Sequence, residues 1–242
     1  MSTETIFETD GPLAALTFNR PEARNAMTWE MYEALVDACE KVDRDDGIRV
    51  FVLRGAGGKA FVAGTDISQF QNFKDRDDGL KYEEKLDGVL DRIERVTKPT
   101  IAQVEGVAVG GGCAIALTCD LRVATPESSF GIPIARTLGN CLSGATYSRL
   151  VGAVEAQTLG LVTRIVPAGE IGAAVERLAA DIAANAPLTL RATKEMIRRV
   201  LAKRRLSHGD DADLVELCYT SADFREGVTS FLAKRKPNWR GV

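Results

Sequence analysis

The sequence predicts an α/β fold: a layered core of short strands and amphipathic helices, followed by an all-helical C-terminal region. Three observations carry this expectation. Short β-rich runs alternate with helical patterns over residues 1–167 of the 242-residue chain, and glycines stand where strands hand over to helices. From 168 onward helical periodicity continues without a convincing strand between the segments.

In order, TIFETD (5–10) and LAALTF (13–18) flank Gly11-Pro12 and read as a hairpin. TWEMYEALVDACEKV then places Met31, Leu35, Cys39 and Val42 at helical spacing behind Thr28, a candidate N-cap. RVFVLRG (49–55) reads as a buried strand ending in glycine, and an amphipathic helix over roughly 79–96 stops before Lys98-Pro99. TIAQVEG (100–106), LRVAT (121–125) and SFGIPI (129–134) are further strands, with a glycine-opened helix between the first two. Repeated strand-strand-helix units of this kind close by right-handed crossovers.

The sequence therefore divides into a core, residues 1–167, and a helical region, residues 168–242. Segments 168–184, 187–202, 210–219 and 221–233 are all amphipathic, and the last aligns Phe224, Val228, Phe231 and Leu232 on one stripe. A short tail cannot bury that many apolar faces within itself, which favours an oligomerisation arm.

Composition excludes several functions. The chain is 45% hydrophobic with a net charge of -3 and interleaved charges, so a nucleic-acid partner is not expected. No basic n-region precedes an apolar one, and no apolar run approaches the ~20 residues that cross a bilayer, so no membrane association and a cytoplasmic location are expected. Cys39, Cys113, Cys119, Cys141 and Cys218 form no CxxC pair and read as free, mostly buried thiols. One histidine, His208 in the polar RLSHGDD segment, leaves little material for a histidine metal site or a Ser-His-Asp triad, so no metal is expected.

The chemistry sits in two glycine turns. In GVAVGGGCAIALTCD (106–120), Gly110, Gly111 and Gly112 open a helix, where first-turn N–H groups lack intrahelical partners and the dipole favours negative charge. Close strand-helix packing is the competing reason for three glycines there. GAGGKAFVAGTDISQF (55–70) again leads from a strand through Gly-X-Asp into a helical run. Two such turns can aim two N–H groups at one oxygen, the requirement for holding a thioester enolate or a tetrahedral oxyanion.

FNRPEARNAMT (18–28), KAFVAGTDI (59–67), VEGVAVGGGCAIALTCDLRVA (104–124), FGIP (130–133), LGLVTRIVP (159–167) and APLTLRATK (186–194) together resemble the crotonase superfamily, the enoyl-CoA hydratase/isomerase family. The resemblance implies a crotonase-type spiral of strand-strand-helix units and a helical C-terminal trimerisation region in a homotrimer or a hexamer built as a dimer of trimers. It implies an acyl-CoA thioester as substrate, coenzyme A entering as part of it and no separate cofactor. The oxyanion hole would be the N–H groups of Thr65 and Gly111, with coenzyme A along Glu22, Ala23, Arg24 and Ala26 and backbone contacts at Ala63, Asp66 and Ile67.

Two departures stand out. The family's hydratases carry glutamates two residues after the triple glycine and directly after FGxP, and this chain has Ala114 and Ile134 there. Hydration by the two-glutamate route lacks its acid and base. Arg136, Asn140, Cys141, Ser143 and Tyr147 are the polar or reactive groups of ARTLGNCLSGATYSRL that the resemblance puts near the acyl chain, with Asn140 and Cys141 as candidate pocket residues. Asp66 and Asp120 read as capping and turn residues, and Glu105 and Glu127 as turn and surface residues. The readings left open are an acyl-CoA enzyme with a different acid/base arrangement, running hydration, isomerisation or C–C or C–X cleavage of a thioester; an inactive acyl-CoA-binding paralogue acting as sensor or partner subunit; and a structural paralogue that binds no coenzyme A.

Overall fold

The structure is a computed structural model in which residues 4–73, 76–133, 150–203 and 212–240 are described. The hairpin is β1 (Thr5–Asp10) antiparallel to β2 (Leu13–Phe18). Helix α1 (Trp29–Arg44) begins at Thr28, whose hydroxyl accepts from the Met31 N–H at 3.3 Å and donates to Glu4 at 2.7 Å. That side chain satisfies one of the four N–H groups a helix start leaves open. The apolar stripe Met31, Leu35, Cys39 and Val42 is buried, as its spacing predicts.

Three strand pairs then follow, each split between two sheets. They are β3 (Val50–Gly55) with β4 (Ala60–Val62), β5 (Thr100–Val104) with β6 (Val107–Val109), and β7 (Leu121–Ala124) with β8 (Ser129–Gly131). Helix α2 (Arg76–Glu94) connects the first pair to the second, and α3 (Gly111–Thr118) connects the second to the third. Strands β9 (Val151–Gly152) and β10 (Arg164–Ile165) complete the sheets, with α4 (Ala153–Thr158) between them. One sheet runs β1-β2-β3-β5-β7-β10, parallel except for the first hairpin; the other runs β4-β6-β8-β9, parallel until the last pair. Each turn of the chain thus adds one strand to each sheet. Strands β4, β6, β9 and β10, of two or three residues, are too short to show a period of two, so sequence periodicity does not find them, whereas β8 lies within the strand read over 129–134.

Of the C-terminal helices, α5 (Ile171–Ala183) lays Ile171, Val175 and Ala179 on Ala15, Val50, Val52, Ile101 and Val123 of the larger sheet. Helix α6 (Pro187–Ala202) buries no residue within this chain and exposes Leu188, Met196, Ile197, Val200 and Leu201. It is tied back by Lys194, whose ammonium donates to Asp120 at 2.7 Å and to the Lys98 carbonyl at 3.2 Å. Helices α7 (Ala212–Tyr219) and α8 (Ala222–Leu232) return to the core, where Tyr219 and Phe224 join Phe70, Phe73 and Tyr82 in an aromatic cluster. Among the described residues no helix is long and apolar enough to cross a membrane.

Candidate functional site

The two glycine turns meet. Gly64 and Gly110 both have positive φ, +87° and +55°, and a Cβ on Gly64 would come 3.4 Å from the Val109 carbonyl oxygen. Gly112 serves packing instead: a Cβ there would fall 2.2 Å from the Val62 carbonyl oxygen, so helix α3 seats on β4 only without one. Close strand-helix packing therefore accounts for the glycine at position 112.

Met27 fixes the upstream turn by an isolated parallel bridge, its N–H donating to the Gly64 carbonyl at 2.8 Å and its carbonyl accepting from the Asp66 N–H at 2.9 Å. In such a bridge the middle residue, Thr65, turns its own N–H away from Met27. Gly111 is the first residue of α3, so its N–H has no partner inside the helix. At the other end of α3, the Arg122 guanidinium donates to the carbonyls of Ala116, Leu117 and Cys119, and its Nε to Leu161. Burial lowers the Arg122 pKa, while Cys119 and Asp120 act in the opposite direction.

The residues expected along coenzyme A also come together. Pro21–Ala23 form one 3-10 turn, and Arg24 and Asn25 follow in the left-handed region with φ of 52° and 57°. Asn25 is fully buried and stitches the loop: its carbonyl oxygen accepts from the Arg20 N–H, and its amide donates to the carbonyls of Ala56 and Ala60. The Ala63 N–H donates to the Arg24 carbonyl at 3.1 Å, so residues 22–26 run beside 63–67. Glu22 and Arg24 are exposed; Ala23, Ala26, Ala63 and Ile67 are half-buried. Burial would raise the Asp66 carboxyl, but two donors from Ser68 and the Arg20 guanidinium outweigh it and hold the group below the usual carboxylate range. Asp66 thus caps a turn, and Asp120 accepts from the Thr100 N–H and hydroxyl at 2.8 and 2.9 Å.

Ala114 lies in the first turn of α3, half-buried, its N–H donating to the Gly110 carbonyl at 3.1 Å. Ile134, Arg136, Asn140, Cys141, Ser143, Tyr147 and His208 lie outside the described residues. Glu105 accepts from the Gln103 side chain at 3.1 Å and Glu127 is exposed. Cys39, Cys113 and Cys119 are free and buried, with burial pushing their thiols up to about 12, 11 and 12. Among the described residues no group of His, Cys, Asp and Glu is disposed to hold a metal ion.

Sequence reasoning missed Tyr32 and Tyr82. Tyr32 from α1 and Tyr82 from α2 bring their hydroxyls to the Thr65 hydroxyl at 2.7 and 2.9 Å, and a Cβ on Gly111 would lie 2.8 Å from the Tyr32 oxygen. In the sequence both tyrosines look like ordinary core aromatics; only the hydroxyl of Thr65, after an Ala-Gly turn, signals that a partner is needed. Behind them, Glu83 is buried and accepts from the Tyr219 hydroxyl.

Interleaved strand pairs and paired glycine turns define a crotonase-type fold. The sequence matches the enoyl-CoA hydratase/isomerase family over residues 8–242. It is 32% identical to the short-chain-enoyl-CoA hydratase of Clostridium acetobutylicum, covering 96% of this chain and 95% of that one. It is equally 32% identical to the crotonyl-CoA hydratase of Syntrophomonas wolfei, covering 97% and 96%. The crystal structure of methylmalonyl-CoA decarboxylase complexed with 2S-carboxypropyl CoA superposes with a TM-score of 0.87 at 26% identity, covering 100% of both chains. The chain belongs to the enoyl-CoA hydratase/isomerase family, within the crotonase superfamily.

Proposed function

We propose that this protein is an acyl-CoA enzyme in which the N–H groups of Thr65 and Gly111 hold a thioester enolate. The observation that supports the reading is the contact between the two glycine turns at the Gly64–Gly110 junction, which brings together the segments that carry the two amides. Donors aimed where charge develops stabilise the transition state without reorganising, each worth about 3 kcal/mol. Coenzyme A lies along residues 22–26 and 63–67.

Ala114 and Ile134 direct the choice of reaction. Hydration and double-bond isomerisation both need a positioned acid/base to move protons, and the two family positions supply none. Loss of CO2 from a thioester carrying an α-carboxylate needs no base. The breaking carbon–carbon bond leaves its electron pair in the enolate, which the two amides hold until the α-carbon takes a proton from water. An apolar Ala114 also spares the substrate carboxylate the repulsion a glutamate would exert. The full-length likeness to methylmalonyl-CoA decarboxylase supports this reading. The same absence of carboxylates supports a second one, an acyl-CoA-binding paralogue without turnover.

We further propose that the protein is a trimer or a dimer of trimers assembled through the helical region 168–242, by way of α6, since α5, α7 and α8 pack on the 1–167 core. The exposed apolar residues of α6 support it. Turnover assays on malonyl-, methylmalonyl-, crotonyl- and 3-hydroxybutyryl-CoA, beside calorimetric binding, test the function. CO2 release from the malonyl-type thioesters is the expected result; binding without turnover on any thioester selects the paralogue, and no binding overturns both. Light scattering after size exclusion reads the assembly, and a monomer overturns the oligomer.

A further inference from the structure

A threonine is an awkward neighbour for a bared amide. Its hydroxyl oxygen can accept from its own or an adjacent backbone N–H, and so compete with a ligand for it. Here the Thr65 oxygen lies between two phenols, Tyr32 at 2.7 Å and Tyr82 at 2.9 Å, and all three residues are buried. A hydroxyl oxygen has two acceptor positions and one proton. The two phenols take two of these three positions, whichever way the protons run, and so pin the oxygen between them.

The phenols are themselves fixed. Tyr32 sits in the first turn of α1, with Trp29 at 6.0 Å between ring centroids, and Tyr82 stands edge-on to Phe70 at 4.9 Å. The Tyr32 oxygen also lies 2.8 Å from the place a Gly111 Cβ would take, so the chain of hydroxyls runs from Thr65 to beside Gly111. Burial raises both phenol pKa values, Tyr32 to about 12, so the chain stays neutral where the protein works.

From this juxtaposition we infer that Tyr32 and Tyr82 are positioning residues: they occupy the Thr65 hydroxyl and hold the Thr65 and Gly111 amides in register for a thioester oxygen. This deepens the proposed oxyanion hole and rests on it. The prediction concerns alignment of the amides, not retention of coenzyme A, which is proposed to lie along the 22–26 loop and the backbone of 63–67, both left unchanged by side-chain substitutions at Tyr32, Thr65 and Tyr82.

The test reads the carbonyl directly. Acetyl-CoA labelled with carbon-13 at the carbonyl is bound to the full chain, and the infrared stretch is compared with that of the free thioester. Wild type shows a shift to lower frequency. Tyr32→Phe, Tyr82→Phe and Thr65→Val, which keep volume and the Thr65 N–H, lose at least half of it, and Thr65→Ser, which restores the hydroxyl, recovers it. Coenzyme A affinity by calorimetry stays within about twofold, or 0.4 kcal/mol. A wild type without any shift overturns the oxyanion hole and the inference with it. A wild-type shift that persists in all three variants leaves the hole standing and overturns the inference alone. Loss of the shift with loss of coenzyme A affinity, or without recovery in Thr65→Ser, also overturns it, since general loosening then replaces alignment.

Discussion

Gly110 rests against Gly64: a Cβ on Gly110 would lie 3.5 Å from the Gly64 Cα, and the two residues belong to turns 46 positions apart in sequence. Neither turn alone is a site. A helix start with unpartnered N–H groups is common, and a left-handed glycine after a strand is commoner. Their contact is what the proposed pair of donors requires.

Gly110→Ala is therefore expected to damage function and stability together. Gly110 combines φ of 55° with ψ of -130°, a conformation essentially reserved for glycine, and forcing a side chain into it costs roughly 1–3 kcal/mol. A lowered urea midpoint with an unchanged slope, measured beside the kinetics, checks the claim. An unchanged midpoint would show that the turn relaxes freely.

Gly111→Pro separates the amide from the fold. Proline suits the first position of a helix, where its missing N–H has no intrahelical role. The added Cβ would meet the Tyr32 oxygen at 2.8 Å, so Gly111→Ala, which brings the same carbon and keeps the N–H, is the control; turnover of Gly111→Pro should fall about a hundredfold or more below that control. Circular dichroism and kcat measured on the same preparation decide it; full activity means the thioester oxygen sits elsewhere.

Restoring a carboxylate at position 114 is expected to work against decarboxylation. Ala114→Glu puts a negative charge in the first turn of α3, two residues before the buried Ala116, where the substrate carboxylate must also fit. Like charges within ~4 Å cost several kcal/mol at a partly buried site, so CO2 release should slow by at least tenfold. A gain in crotonyl-CoA hydration, followed by loss of the enoyl absorbance, is the complementary readout. Unchanged CO2 release counts against the assignment of this position to the pocket.

Alkaline stability reports the buried thiols and phenols. Burial raises Cys39, Cys113 and Cys119 above their ordinary value of 9.0, and Tyr32 from 10.0 to about 12. A group whose folded pKa is raised keeps its proton longer folded than unfolded. Its stabilising effect is complete below the unfolded pKa and drains away as pH climbs toward the folded one. Stability should fall from pH 9 and more steeply above pH 10, each fully engaged group adding a slope of about 1.4 kcal/mol per pH unit. Tyr32→Phe should flatten the curve between pH 10 and 12, as read by urea unfolding at stepped pH.

The hairpin, α1 with its Thr28 cap, and the glycine-opened helix were legible because each is encoded within a dozen neighbouring residues. Strands β4 and β6 were not: three residues in a strand carry no alternation, and only the parallel register with a neighbour defines them. Helix α2 begins at Arg76, three residues before the sequence pattern places it, because its first turn carries Asp77 and Asp78 rather than apolar residues. Of the site, motif residues such as Gly111 and Asp66 could be named in advance. Tyr32 and Tyr82 could not, since they lie 33 and 17 positions from Thr65 and reach it only through the packing of two helices.

Arg122 gives helix α3 a further property. Its guanidinium covers three carbonyls at the helix's C-terminal end, where the partial negative charge of the aligned peptides collects. With that end neutralised, the field at Gly111 no longer fades as that of a dipole with two bare poles. It approaches that of an isolated positive half-charge, with a longer reach, and an arginine at the far end of the helix thereby strengthens the pull on an anion at the near one.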